Sequence, residues 1–129
     1  MIINEWRLKD TKRSLRMLIR QLDFNIGGRY DINVFSVYRR EDEQNRLYEQ
    51  GYSKLRYPES KHNCYPTLAV DIAPQVNGKI DWKDLTLWKD MIGECKALAE
   101  LHGIECNFGA DWKMRDYPHV ELKESQFGK

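Results

Sequence analysis

Residues 60–71, SKHNCYPTLAVD, place a histidine and a carboxylate, His62 and Asp71, at the two ends of a short stretch that closes on an apolar run. A second such pair lies in DYPHVEL, where Asp116 stands three residues ahead of His119 and Pro118 stiffens the approach to an alternating strand. Imidazoles and carboxylates are the ligands a hydrolytic zinc centre takes from protein, usually three of them, with the fourth position left to water. The chain has three histidines. His102 lies at the end of a helical stripe beside Gly103, where an imidazole suits the carbonyls and dipole of a helix C-terminus better than a metal. That leaves His62 and His119. Taken singly, each has a plain structural reading: His119 as a strand-rim residue, Asp71 as a turn or capping carboxylate.

The elements that must position these residues follow from periodicity. From Asn4 to about Phe24, Trp6, Leu8, Leu15, Leu18, Ile19 and Leu22 recur at mostly helical spacing among Lys and Arg, which predicts one amphipathic helix with a face on the core. Gly27-Gly28 breaks it, and INVFSVY (32–38) is β-branched and aromatic, as a strand requires. EDEQNRLYEQG carries acids in its first turn and Gly51 past its last, the start and stop of a short helix. TLAVDIA reads as a buried strand, Asp84 to His102 as a long helix, and GIECNF and HVEL as two short strands around a Gly/Asp/Trp turn. Helices mixed with non-adjacent strands in this order predict an α+β domain, 1–129, with a small antiparallel sheet flanked by helices.

Composition excludes other classes. With 21 Lys+Arg against 20 Asp+Glu the chain carries +1, too little to hold it on nucleic acid or an anionic membrane. Cys64, Cys95 and Cys106 are odd in number and lack a CxxC spacing, so they read as reduced core thiols; Cys64 is a minor candidate for an extra ligand. No stretch reaches the roughly 18 to 20 apolar residues of a membrane span, and MIINEWRLKDTKRSL has no apolar core of a signal peptide. The expectation is a monomer made in the cytoplasm and delivered by something else.

Three spaced segments, SVYRREDEQNRLYEQG, SKHNCYPTLAVDIAP and GIECNFGADWKMRDYPHVEL, together resemble the zinc D-Ala-D-Ala peptidase family, in particular its phage endolysin branch of L-alanyl-D-glutamate peptidases. The resemblance implies a hedgehog/DD-peptidase fold. It places Zn²⁺ on His62, Asp71 and His119, and a general base on Asp116, since zinc brings the pKa of its water toward about 7 and a nearby carboxylate takes the proton. Arg39 would be the cation that stabilises the oxyanion. Gln44 would contact substrate or position that arginine, Ser60 would touch substrate or merely present His62, and Trp112 would wall the cleft. Glu121, on the same strand face as His119, rivals Asp116 as base or supports it from behind; Arg40 rivals Arg39. The chain departs from the pattern at Val37, where the family commonly has Gly, and in the eight residues between His62 and Asp71.

What the resemblance implies is a zinc peptidase that cuts peptidoglycan stem peptides at the L-Ala-D-Glu bond during host lysis, after release through a holin-made hole. A D,D-carboxypeptidase or dipeptidase is the enzymatic alternative. A zinc- and peptide-binding domain of the same fold that cuts nothing is the alternative from another class.

Overall fold

A computed structural model describes residues 1–124. Five strands, β1 (Ile2–Ile3), β2 (Asp31–Ser36), β3 (Ala69–Gln75), β4 (Cys106–Phe108) and β5 (His119–Leu122), form one sheet in the order β1-β2-β3-β5-β4. Helices α1 (Arg13–Ile26), α2 (Glu41–Glu49) and α3 (Leu85–Leu101) complete the fold. The α+β expectation holds, and all pairings are antiparallel except β1 on β2, which is parallel. That short first strand carries no periodicity of its own and is defined only by its partner.

One sequence expectation fails. The helix read from Asn4 to Phe24 is two elements: a 3-10 segment over Glu5–Asp10, then α1. The break is made from a distance, because Thr11 bridges Thr67 and the Lys12 amide donates to the Thr67 carbonyl (2.9 Å). Trp6, expected on the buried face, is 62% exposed. Beyond the break the apolar spacing does its work, and Leu15, Leu18, Ile19, Leu22 and Ile26 are all buried.

Helices α1 and α3 pack against each other, and α3 lies over β3. Trp88, Met91, Ile92, Cys95, Leu98 and Ala99 of α3 meet Val70, Ile72, Val120 and Leu122 from the sheet in one core. Each such aliphatic or aromatic side chain contributes about 1.5–3 kcal/mol by leaving water. Side chains alternate across a strand, so the residues between these core positions point to the opposite face. In register there, Asp71 pairs with His119, Ala69 with Glu121 and Ser36 with Asp71. One face of the sheet is therefore a hydrophobic floor and the other bears carboxylates and an imidazole.

β2 carries one residue more than its partner: Val34 pairs with Ile72 and Ser36 with Asp71, leaving Phe35 as a bulge. Bulges bend a strand and re-aim its side chains. Here the bend sends the chain off the sheet at Ser36, directly beside Asp71.

Candidate metal site and its cleft

His62 reaches the polar sheet face from a loop. Ser60 begins a 3-10 turn over Lys61–Asn63: its hydroxyl accepts from the His62 amide (3.1 Å), while its own amide donates to the Asn63 side-chain oxygen (3.1 Å). Such a reciprocal cap satisfies the turn's open amides and fixes the direction in which His62 leaves it. The turn is then stapled to the chain leaving β2. The Arg39 amide donates to the His62 carbonyl (2.8 Å), and the Asn63 side chain donates to the Arg39 carbonyl (3.1 Å). Buried Thr67 ties the far end, its hydroxyl lying 3.2 Å from the Lys61 carbonyl.

At the centre, His62 Nε2, His119 Nδ1 and Asp71 Oδ1 are mutually 3.2–3.3 Å apart. A tetrahedral zinc with bonds of about 2.0–2.1 Å needs donor atoms roughly 3.3 Å from one another, and it favours this mixed N/O set. All three residues are buried. The group can hold a metal ion.

The far side of every ligand is also fixed. His62 Nδ1 lies 2.6 Å from the Val37 carbonyl, an acceptor, so this nitrogen carries the proton and Nε2 presents its lone pair. His119 Nε2 lies 2.7 Å from Glu121 Oε1, which leaves Nδ1 to face inward. Asp71 Oδ2 accepts from the Arg39 guanidinium at 3.1 Å, which leaves Oδ1 to the site. Partners of this kind hold metal ligands in orientation.

Charge follows the same pattern. Burial alone pushes the Asp71 carboxyl up, but the charges and hydrogen bonds of His62 and His119 outweigh it and hold it far below the usual carboxylate range. Burial pulls His119 down, yet Asp71 and Glu121 raise it to about 9, so a proton sits where a divalent cation would replace it. Burial likewise pushes Glu121 up, and His119, Asn107 and Lys61 bring it down to about 2.

Asp116 is placed differently. It is exposed toward the cleft, while the protein behind its carboxyl and the neighbouring Asp71 charge both push its pKa up. Among the described residues nothing hydrogen-bonds its side chain. Its backbone is what is held: the Asp116 amide donates to the Gly109 carbonyl (2.9 Å), and the Asp116 carbonyl accepts from the His119 amide (3.2 Å). Gly109 is indispensable to that packing, since a Cβ there would stand 2.1 Å from the Asp116 carbonyl oxygen and 3.0 Å from His119 Cβ.

These groups line a cleft of about 540 Å³, walled by Tyr52, Leu55, Trp112 and Met114. The Trp112 ring lies 4.9 Å from that of His119, is 40% exposed and forms part of the cleft lining. Arg39 lines the cleft while donating to Ser36 (3.2 Å), Gln44 (3.4 Å) and Asp71 (3.1 Å), so only part of its donor set can face a substrate. Ser60 also borders the cleft, but its hydroxyl is engaged in presenting His62.

For Gln44 the substrate-contact expectation gives way. The side chain is wholly buried: its amide nitrogen donates to Ser53 Oγ (2.9 Å) and the Leu55 carbonyl (2.6 Å), and its oxygen accepts from Arg39 and Asn63. It positions Arg39 and closes the loop after α2. Cys64 is buried in the core, its thiol raised by burial, and it is not among the grouped ligands. His102 occupies the C-cap of α3, where its backbone amide donates to the Leu98 and Glu100 carbonyls. Sequence reasoning passed over Asn63, Lys61 and Thr67. For Asn63 a signal existed, since S-x-x-N has the spacing of a reciprocal cap.

The sequence model of the phage L-alanyl-D-glutamate peptidase family matches residues 4–128. Over 99 residues the chain is 36% identical to the L-alanyl-D-glutamate peptidase of Escherichia phage T5, covering 76% of this chain and 71% of that protein. It is 31% identical over 115 residues to the peptidoglycan L-alanyl-D-glutamate endopeptidase CwlK of Bacillus subtilis, covering 71% of this chain and 60% of that longer protein. The fold matches the crystal structure of the Serratia marcescens L-Ala D-Glu endopeptidase ChiX with a TM-score of 0.80 and 22% identity, over 95% of this chain and 90% of that one.

Proposed function

Since the chain belongs to the phage L-alanyl-D-glutamate peptidase family, we propose that it is a zinc peptidase that hydrolyses the L-Ala-D-Glu bond of peptidoglycan stem peptides as a phage endolysin. The observation that carries the reading is the donor triangle of His62, Asp71 and His119, with edges of 3.2–3.3 Å, at the floor of an open cleft. His62, Asp71 and His119 would hold the ion. Zinc bound there supplies Lewis acidity toward the scissile carbonyl and makes a water acidic enough to ionise near neutral pH.

The remaining work falls to the chain's own side chains. Asp116 is the base, taking a proton from the attacking water and returning it to the D-Glu amine as the C–N bond breaks. Its raised pKa brings it closer to the working pH, where a proton acceptor that must also donate is most effective. Arg39 holds Asp71 in orientation through its hydrogen bond to Oδ2, and its remaining donors offer positive charge to the developing oxyanion. Trp112 and the residues 51–55 exclude water from one side of the peptide. Among the described residues no helix is long and apolar enough to cross a membrane. We place the protein's action at the cell wall, as a single catalytic domain released from the host cytoplasm through a holin-made hole.

Mass spectrometry of muropeptides treated with purified protein tests the bond. The expected product carries a new free amine on D-Glu. Loss of terminal D-Ala instead would assign the D,D-peptidase activity, and unaltered muropeptides would leave a binding domain.

A further inference from the structure

Resting on the metal reading above, we infer that Glu121 is a positioning residue for His119 and that Lys61 locks it in place, so that two ligand-bearing segments are preset by one ion pair. Both oxygens of Glu121 are committed. Oε1 accepts from His119 Nε2 at 2.7 Å; Oε2 faces Lys61 Nζ at 3.2 Å and accepts from the Asn107 side chain at 3.3 Å. Lys61 also donates to the Leu122 carbonyl. It immediately precedes His62, and Glu121 lies two residues beyond His119. The pair therefore ties the loop that carries one imidazole to the strand that carries the other.

The two histidines are supported unequally. His62 leans on a neutral carbonyl, that of Val37, whereas His119 leans on a full carboxylate. An anionic acceptor on one ring nitrogen raises the donor strength of the other and fixes which of them faces the metal. The geometry also separates Glu121 from the role of base. Asp116 has an open carboxyl toward the cleft, whereas both oxygens of Glu121 are already bonded, to His119, Lys61 and Asn107, and its pKa is held down to about 2.

The test is zinc affinity, measured by competition with a chromophoric chelator, together with kcat at saturating zinc, in the parent, Glu121→Gln, Glu121→Ala, Lys61→Met and the Glu121→Ala/Lys61→Met pair. Glu121→Ala should bind zinc roughly 10- to 100-fold more weakly with kcat at saturation nearly kept, the range typical of partners behind a metal ligand. Glu121→Gln keeps an acceptor and should lose less. Lys61→Met should weaken binding in the parent but add nothing in the Glu121→Ala background, because it acts through the carboxylate. In the zinc-loaded protein the His119 Nε2 proton, which Glu121 Oε1 accepts in the parent, should lose its hydrogen-bonded downfield shift in Glu121→Ala, which a merely structural role would not cause. Parent-like zinc affinity in Glu121→Ala overturns the inference, as does a loss of kcat at saturating zinc with affinity unchanged. Should Glu121→Ala fail to fold, Glu121→Gln decides by the same two outcomes. A parent that takes up no zinc overturns the metal reading, and this inference with it.

Discussion

His62 and Asp116 face the same cleft and are built by opposite means. The His62 side is closed: its turn is capped at both ends and stapled to Arg39 and Thr67, and the residue is 1% exposed. The Asp116 side is a loop of exposed residues, 111–116, pinned by its backbone to Gly109 while its carboxyl has no partner among the described residues. The contrast matches the tasks. A metal ligand must keep one orientation, so every polar atom around it is matched and buried. A proton carrier must gain and lose charge, so it needs a shifted pKa and an open side more than fixed hydrogen bonds.

Replacing a ligand in the closed half should have the largest effect. His62→Ala or His119→Ala should reduce zinc from about one equivalent per chain, the content of a single site, to a small fraction, with activity lost. Metal analysis after mild dialysis checks this, and undiminished zinc in both variants would break the contrast at its root. Next comes the open half. Asp116→Asn keeps shape and polarity but removes the proton acceptor, so zinc should stay bound while kcat/KM falls by roughly 10²-fold or more.

Gln44→Leu should act on the fold rather than on the chemistry. It strips partners from Arg39, Asn63, Ser53 and Leu55 at a fully buried position, at a cost of about 2 kcal/mol in urea unfolding. A large fall in kcat without loss of stability would return Gln44 to the substrate. Arg39→Lys keeps the charge and loses the planar fork that spans Ser36, Gln44 and Asp71, so activity should drop roughly 10-fold in a folded protein. The smallest change belongs to Trp112→Ala, which should raise KM a few fold and leave kcat and zinc content as they were.

Much of this division was legible in the chain. The stripe from Leu85 to Leu101 and the strand around Asp71 have periods that local composition fixes, and both appear where expected. The ligand residues stood out because histidines are few and because S-x-H, A-V-D and D-x-x-H together resemble the motifs of one family. What escaped reading depends on partners far along the chain. Nothing local ends a helix at Thr11; a bridge to Thr67 does. Nothing near Gln44 says that it is buried, because the groups that enclose it come from residues 39, 53, 55 and 63. Gly109 looked like one more turn glycine, and its necessity becomes visible only when Asp116, seven positions on, is folded against it.

The bulge at Phe35 makes the site a matter of odd and even numbers. Up to Val34, β2 advances in step with β3, and the unmatched residue then reverses which side of the chain each later position faces until the strand ends at Ser36. Ser36 thereby meets Asp71, and Arg39 follows three places on with its guanidinium against the same carboxylate. A chain shortened by that one residue would keep nearly all its composition and its core helices, yet its arginine would leave the sheet half a pleat out of phase. A length comparison at this point is thus as informative as a comparison of residue types, and a single-codon deletion is a more severe lesion here than most substitutions.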